Sequence, residues 1–108
     1  MRIIRVSYTV QQDYVDTNKR NIEKVMNDLR ELNHPGMKYA SFLEPDGKTF
    51  MHFAMYPDEQ TLQILNNLPS FITFRKALKE SMPEVPPKSV DLSLVASAYE
   101  LWPGLKID

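Results

Sequence analysis

Hydrophobic and polar positions alternate over residues 2–10, RIIRVSYTV, with Ile4, Val6, Tyr8 and Val10 on one side and Arg5, Ser7 and Thr9 on the other. A period of two with one apolar side predicts a strand that covers a core on one face. From about residue 14 to 33 the period lengthens: Val15, Ile22, Val25, Met26, Leu29 and Leu32 recur at helical spacing. Asp13 or Asp16 is placed to cap the first free N–H groups of this helix. NHPG (33–36) ends it, because Pro35 disfavours helix at His34 and Gly36 permits a turn.

Two aromatic-rich runs, 37–44 and 48–56, flank EPDGK. Proline, aspartate and glycine in that order predict a three-residue hairpin with a bulge, which sets Glu44 opposite Lys48 and Ala40 opposite His52. In that register Met37, Tyr39, Ser41 and Leu43 share a face with Thr49, Met51, Phe53 and Met55. This is the more apolar face and is assigned to the core. Phe42, Phe50, His52 and Tyr56 then point away from it. Asp58 is a good N-cap for a second helix through Leu62, Leu65 and Leu68, and Pro69 divides it from a further helical segment carrying Phe71, Phe74 and Leu78. MPEVPPK (82–88) predicts an extended connector. The last strand is expected over residues 89–101, with Val90, Leu92, Leu94, Ala96 and Ala98 on the core side, and WPGLKID leaves it as a tail whose last part is 103–108.

The order is β-α-β-β-α-β, so the expected fold class is α+β: a ferredoxin-like sandwich in which a four-stranded antiparallel sheet carries its helices on one face. Residues 1–108 form one domain, the first and third strands are central, and the other face mixes Arg5, Ser7, Phe42, Phe50, His52, Tyr56, Val95 and Tyr99. A solvated face rarely carries so many aromatics, which predicts a homodimer with facing sheets enclosing a partly polar cavity.

Charge and composition remove several function classes. Thirteen Lys and Arg against fourteen Asp and Glu leave a net charge of -1, so there is no basic field for nucleic acid or an anionic membrane. No apolar run reaches the ~20 residues of a membrane span. MRIIRVSYTV, with arginine inside its apolar run, does not read as a signal peptide. The chain has no cysteine, which removes thiolate chemistry and zinc–thiolate sites, and a cytoplasmic location is expected. Two histidines far apart, with no ligand spacing, predict no metal site. His34 suits the C-terminus of the first helix, and NKRNIEK (18–24) reads as a solvated helix face.

The order of elements, together with HFAMYPDEQTLQILNNLPSF (52–71), resembles the dimeric α/β barrel superfamily, most closely its antibiotic biosynthesis monooxygenase-type branch. Tyr56 stands where an aromatic residue ends the third strand, residues 58–60 form the acidic opening of the helix, and Pro69 with Phe71 match the start of the next helical turn. The resemblance implies a dimeric barrel and oxidation of activated phenols without flavin or metal, so no cofactor is expected. Members often carry Glu then Trp at the end of the third strand, where this chain has Ala54 and Tyr56. Haem-degrading relatives ligate iron through a helix histidine that is Leu65 here, so a haem site is not implied, and Trp102 does not match the family tryptophan.

On the expected cavity face His52 is a candidate general base, since an ordinary imidazole exchanges protons near neutrality, with Arg5 stabilising an enolate or phenolate. Ser7, Thr9, Phe42, Phe50, Tyr56, Asp91, Ser93, Ser97 and Tyr99 are the candidate lining residues. The same positions also suit a closed interface. Two functions are therefore carried forward: a cofactor-independent monooxygenase-like enzyme acting on a hydrophobic aromatic or carbonyl compound, and a non-catalytic ligand-binding or oligomeric module.

Overall fold

The computed structural model describes residues 1–103, so the part of the expected tail beyond residue 103 lies outside the described residues. Strand β1 (Arg2–Thr9) leads through a short 3-10 turn (Gln12–Tyr14) into helix α1 (Val15–Leu32). The hairpin β2 (Lys38–Leu43) and β3 (Thr49–Tyr56) follows, then helices α2 (Glu59–Asn66) and α3 (Pro69–Glu80), then β4 (Val85–Leu92). The strands form one antiparallel sheet in the order β2-β3-β1-β4, so β1 and β3 are central as expected. Tyr8, Val10 and Phe50 pack with Val15, Ile22 and Val25 of α1 and with Phe74 and Leu78 of α3. Ala54 and Tyr56 pack with Leu65 of α2, with Ile4, Leu29, Tyr39 and Phe71 around them.

Helix boundaries follow the sequence signals closely. Asp58 accepts from Thr61 N at 2.9 Å and caps α2, and Pro69 occupies the first turn of α3, where its missing N–H has no helical partner to lose. At α1 the cap differs from expectation. The capping residue is Tyr14 with no side-chain cap bond, and Asp16 lies in the first turn, where its charge favours the positive helix end. Asn33 closes α1 in the left-handed conformation, φ 49°. Asn18 and Ile22 are buried, so the 18–24 run is not a wholly solvated face.

The hairpin departs from the expected register by one residue. Glu44 N donates to Thr49 O, so the loop holds four residues, Pro45 to Lys48. Gly47 N donates to Glu44 O, and Gly47 adopts φ 78°, a conformation that glycine enters without a Cβ penalty. Asp46 retains Lys48 in the loop by accepting from both Lys48 N and Thr49 N, at 3.0 and 2.8 Å. Ser41 therefore pairs with His52, Tyr39 with Ala54 and Leu43 with Phe50.

A one-residue slip exchanges every side chain of a strand between faces. The core side of β2 is as expected, but β3 is turned over: Phe50, His52, Ala54 and Tyr56 face the helices and are buried, while Met51, Phe53 and Met55 lie on the open face.

β4 is displaced toward the N-terminus relative to expectation, beginning at Val85 and ending at Leu92. Pro86 and Pro87 lie within it; successive N–H positions face opposite sides, so the free outer edge accommodates one of them and the ladder irregularity, where neither has a partner on β1, accommodates the other. The ladder to β1 is irregular between Ser7 and Thr9. Val90 pairs with Arg5 and Leu92 with Ile3, which puts both on the open face instead of the core face. Residues 93–100 are not strand. Nor does the chain leave as a free tail at once: Leu101 and Trp102 are buried, and Trp102 Nε1 donates to Gly36 O at 2.7 Å. Gly36 is itself closely approached, since a Cβ there would lie 2.9 Å from Pro57 Cγ.

Candidate functional site

The inverted face of β3 places His52 between sheet and helices, with 3% of its surface exposed. Its ring stacks on Tyr8 from β1, centroids 5.3 Å apart, and lies 5.6 Å from Phe74 of α3. Tyr39 of β2 meets it edge-on at 5.7 Å. Both ring nitrogens are engaged: Nε2 lies 2.7 Å from Tyr8 Oη and Nδ1 lies 3.0 Å from Tyr39 Oη. Asn18 Nδ2 donates to Tyr8 Oη at 2.9 Å. Four polar groups from α1, β1, β3 and β2 thus form one chain through an otherwise apolar interior.

The environment holds each member neutral. Burial lowers the His52 pKa to about 4, because charging an imidazole away from water is costly. Burial raises the Tyr8 and Tyr39 phenols well above the ordinary value, although the Asn18 bond opposes this at Tyr8 and the Arg75 charge opposes it at Tyr39. Tyr56 moves in the same direction for the same reason.

A cavity of about 760 Å³ opens beside this chain, between the sheet, α2, α3 and the segment leading into β4. That volume is within the range of small-molecule sites, roughly 300–1,000 Å³. Ile4, Val6, Leu62, Leu65, Phe71 and Leu78 supply apolar wall, and Tyr8, Tyr39, His52 and Tyr56 supply the polar atoms. Arg75 and Lys79, both exposed on α3, add positive charge, Asn66 and Ser89 add further polar groups, and no carboxylate among the described residues lines the cavity. The Arg75 guanidinium sits 5.5 Å over the Phe71 ring, and Phe71 meets Tyr39 edge-on at 6.3 Å.

Of the residues singled out in the sequence, the structure brings His52 and Tyr56 together on this cavity. Phe50 is buried in the core beside Tyr8. Arg5, Ser7, Thr9 and Phe42 lie on the opposite face of the sheet, where Thr9 bonds Thr49 and Phe42 meets Phe53 edge-on. Arg5 therefore does not share a site with His52. Asp91 pairs with Arg2 at 3.1 Å, and Ser93, Ser97 and Tyr99 lie exposed beyond β4.

Tyr8, Tyr39, Asn18 and Arg75 were not among the sequence candidates. Tyr8 and Tyr39 carried a usable signal. Each stands at a core-facing strand position, and a buried tyrosine hydroxyl needs a polar partner that an apolar core does not supply.

Among the described residues no helix is long and apolar enough to cross a membrane. No family model and no curated protein matches the chain. Solved structures do. An antibiotic biosynthesis monooxygenase is similar over 89% of this chain and 100% of its own, with TM-score 0.75 and 14% identity. Rv0793 from Mycobacterium tuberculosis is similar over 91% and 98%, with TM-score 0.75 and 15% identity. SnoaB, a cofactor-independent oxygenase from Streptomyces nogalater, is similar over 92% and 97%, with TM-score 0.67 and 13% identity. The fold is thus the ferredoxin-like fold of antibiotic biosynthesis monooxygenase-type domains. At these identities the likeness concerns the fold alone.

Proposed function

We propose that the chain is a small monooxygenase-like enzyme that takes a hydrophobic aromatic or carbonyl compound into the cavity between sheet and helices. The observation that carries this reading is the convergence of a ring-sized apolar cavity on the His52–Tyr39 pair. Oxidation of an activated methylene by dioxygen needs no outside reductant. R2CH2 and O2 give R2C=O and H2O, the carbon losing four electrons and dioxygen gaining four. The protein's part is to favour the carbanion or phenolate that reacts with dioxygen. Tyr39 and Arg75 both line the cavity, and in this reading their hydroxyl and positive charge stabilise such an oxyanion. This reading also takes support from the similarity in fold to SnoaB, a cofactor-independent oxygenase.

The same proposal includes a homodimer closed through the open face of the sheet, acting in the cytoplasm. Phe42 is 56% exposed on that face, and Met51, Phe53, Met55, Val90 and Leu92 are only half-buried there. The absence of cysteine from the sequence fits a reducing compartment.

A second reading, a non-catalytic binding module, is favoured by one feature. Both nitrogens of His52 are occupied by tyrosines, so the imidazole reaches a ligand only through Tyr39. Oxygen uptake separates the two. With anthrone as substrate, the enzyme reading expects consumption of one O2 per anthraquinone formed, over many turnovers and lost in Tyr39→Phe. Saturable binding of anthrone with uptake no faster than the uncatalysed reaction would overturn it in favour of the binding module.

A further inference from the structure

The hydrogen-bond chain has a direction, and the direction fixes what the cavity offers a ligand. Asn18 Nδ2 donates to Tyr8 Oη. Turning this amide over would strand its NH2 group where Oδ1 now lies without a partner among the described residues, and an orphaned N–H is the rarer arrangement. With its oxygen accepting from Asn18, the Tyr8 hydroxyl still has a proton to place. Tyr8 is 1% exposed, and the acceptor within reach is His52 Nε2 at 2.7 Å. A neutral imidazole carries one N–H, so accepting at Nε2 puts that hydrogen on Nδ1. Nδ1–H then donates to Tyr39 Oη at 3.0 Å. Tyr39, which receives this bond, keeps its own O–H hydrogen unspent, and Tyr39 lines the cavity.

We propose that the Asn18–Tyr8–His52 chain orients Tyr39 as a hydrogen-bond donor into the cavity, so that the site selects ligands presenting an acceptor oxygen, a ketone or quinone carbonyl, on an apolar ring body. This rests on the cavity being the ligand site and adds the class of group recognised there. Tyr39 is the group that meets the ligand; Asn18, Tyr8 and His52 are positioning residues. Most of the wall is apolar side chain, which gives the ring body its place, and among the described residues it holds no carboxylate that would favour a donor-bearing or cationic ligand.

The test has one arm without ligand and one with. In the free protein, long-range ¹H–¹⁵N correlation of the imidazole reads the tautomer directly, and protonated Nδ1 at neutral pH is expected for His52. Asn18→Asp places a carboxylate acceptor beside Tyr8 and reverses the chain, so His52 should shift to the Nε2–H tautomer. An Nε2–H tautomer in the wild type overturns the proposal, as does an unchanged tautomer in a folded Asn18→Asp protein.

The second arm does not depend on that variant folding. 1-Tetralone, which carries a carbonyl, should bind roughly three- to tenfold tighter than tetralin, which has no polar atom, and Tyr39→Phe should erase the difference. Equal binding of the two probes to the wild type overturns the directional donor while leaving the cavity as the ligand site. If neither probe binds, the cavity reading itself falls, and this proposal with it.

Discussion

His52 makes the stability of this protein depend on pH in a calculable way. In the unfolded chain the imidazole titrates near its ordinary value of about 6.5, and in the folded protein burial lowers it to about 4. Between these values the unfolded state binds the proton and the folded state does not, so acid favours unfolding. The contribution is fully present above about pH 7, declines as pH falls below the unfolded value, and is exhausted below the folded value. Linkage of those two pKa values gives a loss of about 2 kcal/mol between about pH 7.5 and pH 5, and a limit of about 3 kcal/mol at lower pH.

Other groups titrate over the same range, so the informative quantity is a difference. His52→Gln keeps an amide able to meet both tyrosines but has no proton to take up. Urea unfolding of both proteins at the two pH values, extrapolated to water, should show the wild type losing about 2 kcal/mol more than the variant. The variant itself is expected to be less stable at neutral pH, where it loses the stacking on Tyr8, and this does not enter the pH difference. Equal pH dependence in the two proteins, within about 0.5 kcal/mol, would refute the claim that His52 is held neutral by burial.

Three further expectations concern local features of the fold. Asp58→Ala removes the acceptor for Thr61 N and Thr61 Oγ1 at the start of α2, and should lower the unfolding free energy by about 1 kcal/mol in urea titration, whereas Asp58→Ser should recover most of it. Trp102→Phe leaves the Gly36 carbonyl without its 2.7 Å donor and should cost roughly 1–3 kcal/mol by the same measurement, a loss too large for a residue in a free tail. Gly47→Ala keeps φ 78° but adds a Cβ to a left-handed residue, and should cost about 1 kcal/mol although nothing lies within 4 Å of that position, so its effect is on backbone conformation and not on packing.

The architecture was legible because its signals are local and mutually consistent. The period of two in residues 2–10, the helical spacing from Val15 to Leu32, the cap at Asp58 and the break at Pro69 each specify one element without reference to the others. Connection rules then leave few topologies for a β-α-β-β-α-β chain, and the observed order β2-β3-β1-β4 is the one they favour. β4 was harder to place because an edge strand relaxes the rule that would exclude it. Two prolines in succession argue against a central strand, yet at a sheet edge with a ladder irregularity both can go unpaired, so the strand begins at Val85. Beyond Leu92 the alternating sequence continues without a sheet to join, and Val95 is 97% exposed.

The site was hidden by a single residue of hairpin length. The apolar face of β2 and the apolar face of β3, each chosen by hydrophobicity, are Tyr39–Ser41–Leu43 and Met51–Phe53–Met55, and a three-residue loop places them side by side. The actual loop holds four residues because Asp46 binds the backbone of Lys48 and Thr49, an interaction between a side chain and main chain that hydrophobic patterning does not register. β1 offers the arbitration that the hairpin lacks. Its core face carries Tyr8, and a buried tyrosine hydroxyl needs a polar neighbour; on β3 the methionine and phenylalanine face supplies none, whereas the other face supplies His52. Asn18, at a buried position among the apolar residues of α1, poses the same demand from the opposite side of the core. The polar residues of the interior thus decide the register more sharply than the apolar ones, because an apolar side chain tolerates many neighbours and a buried hydroxyl accepts few.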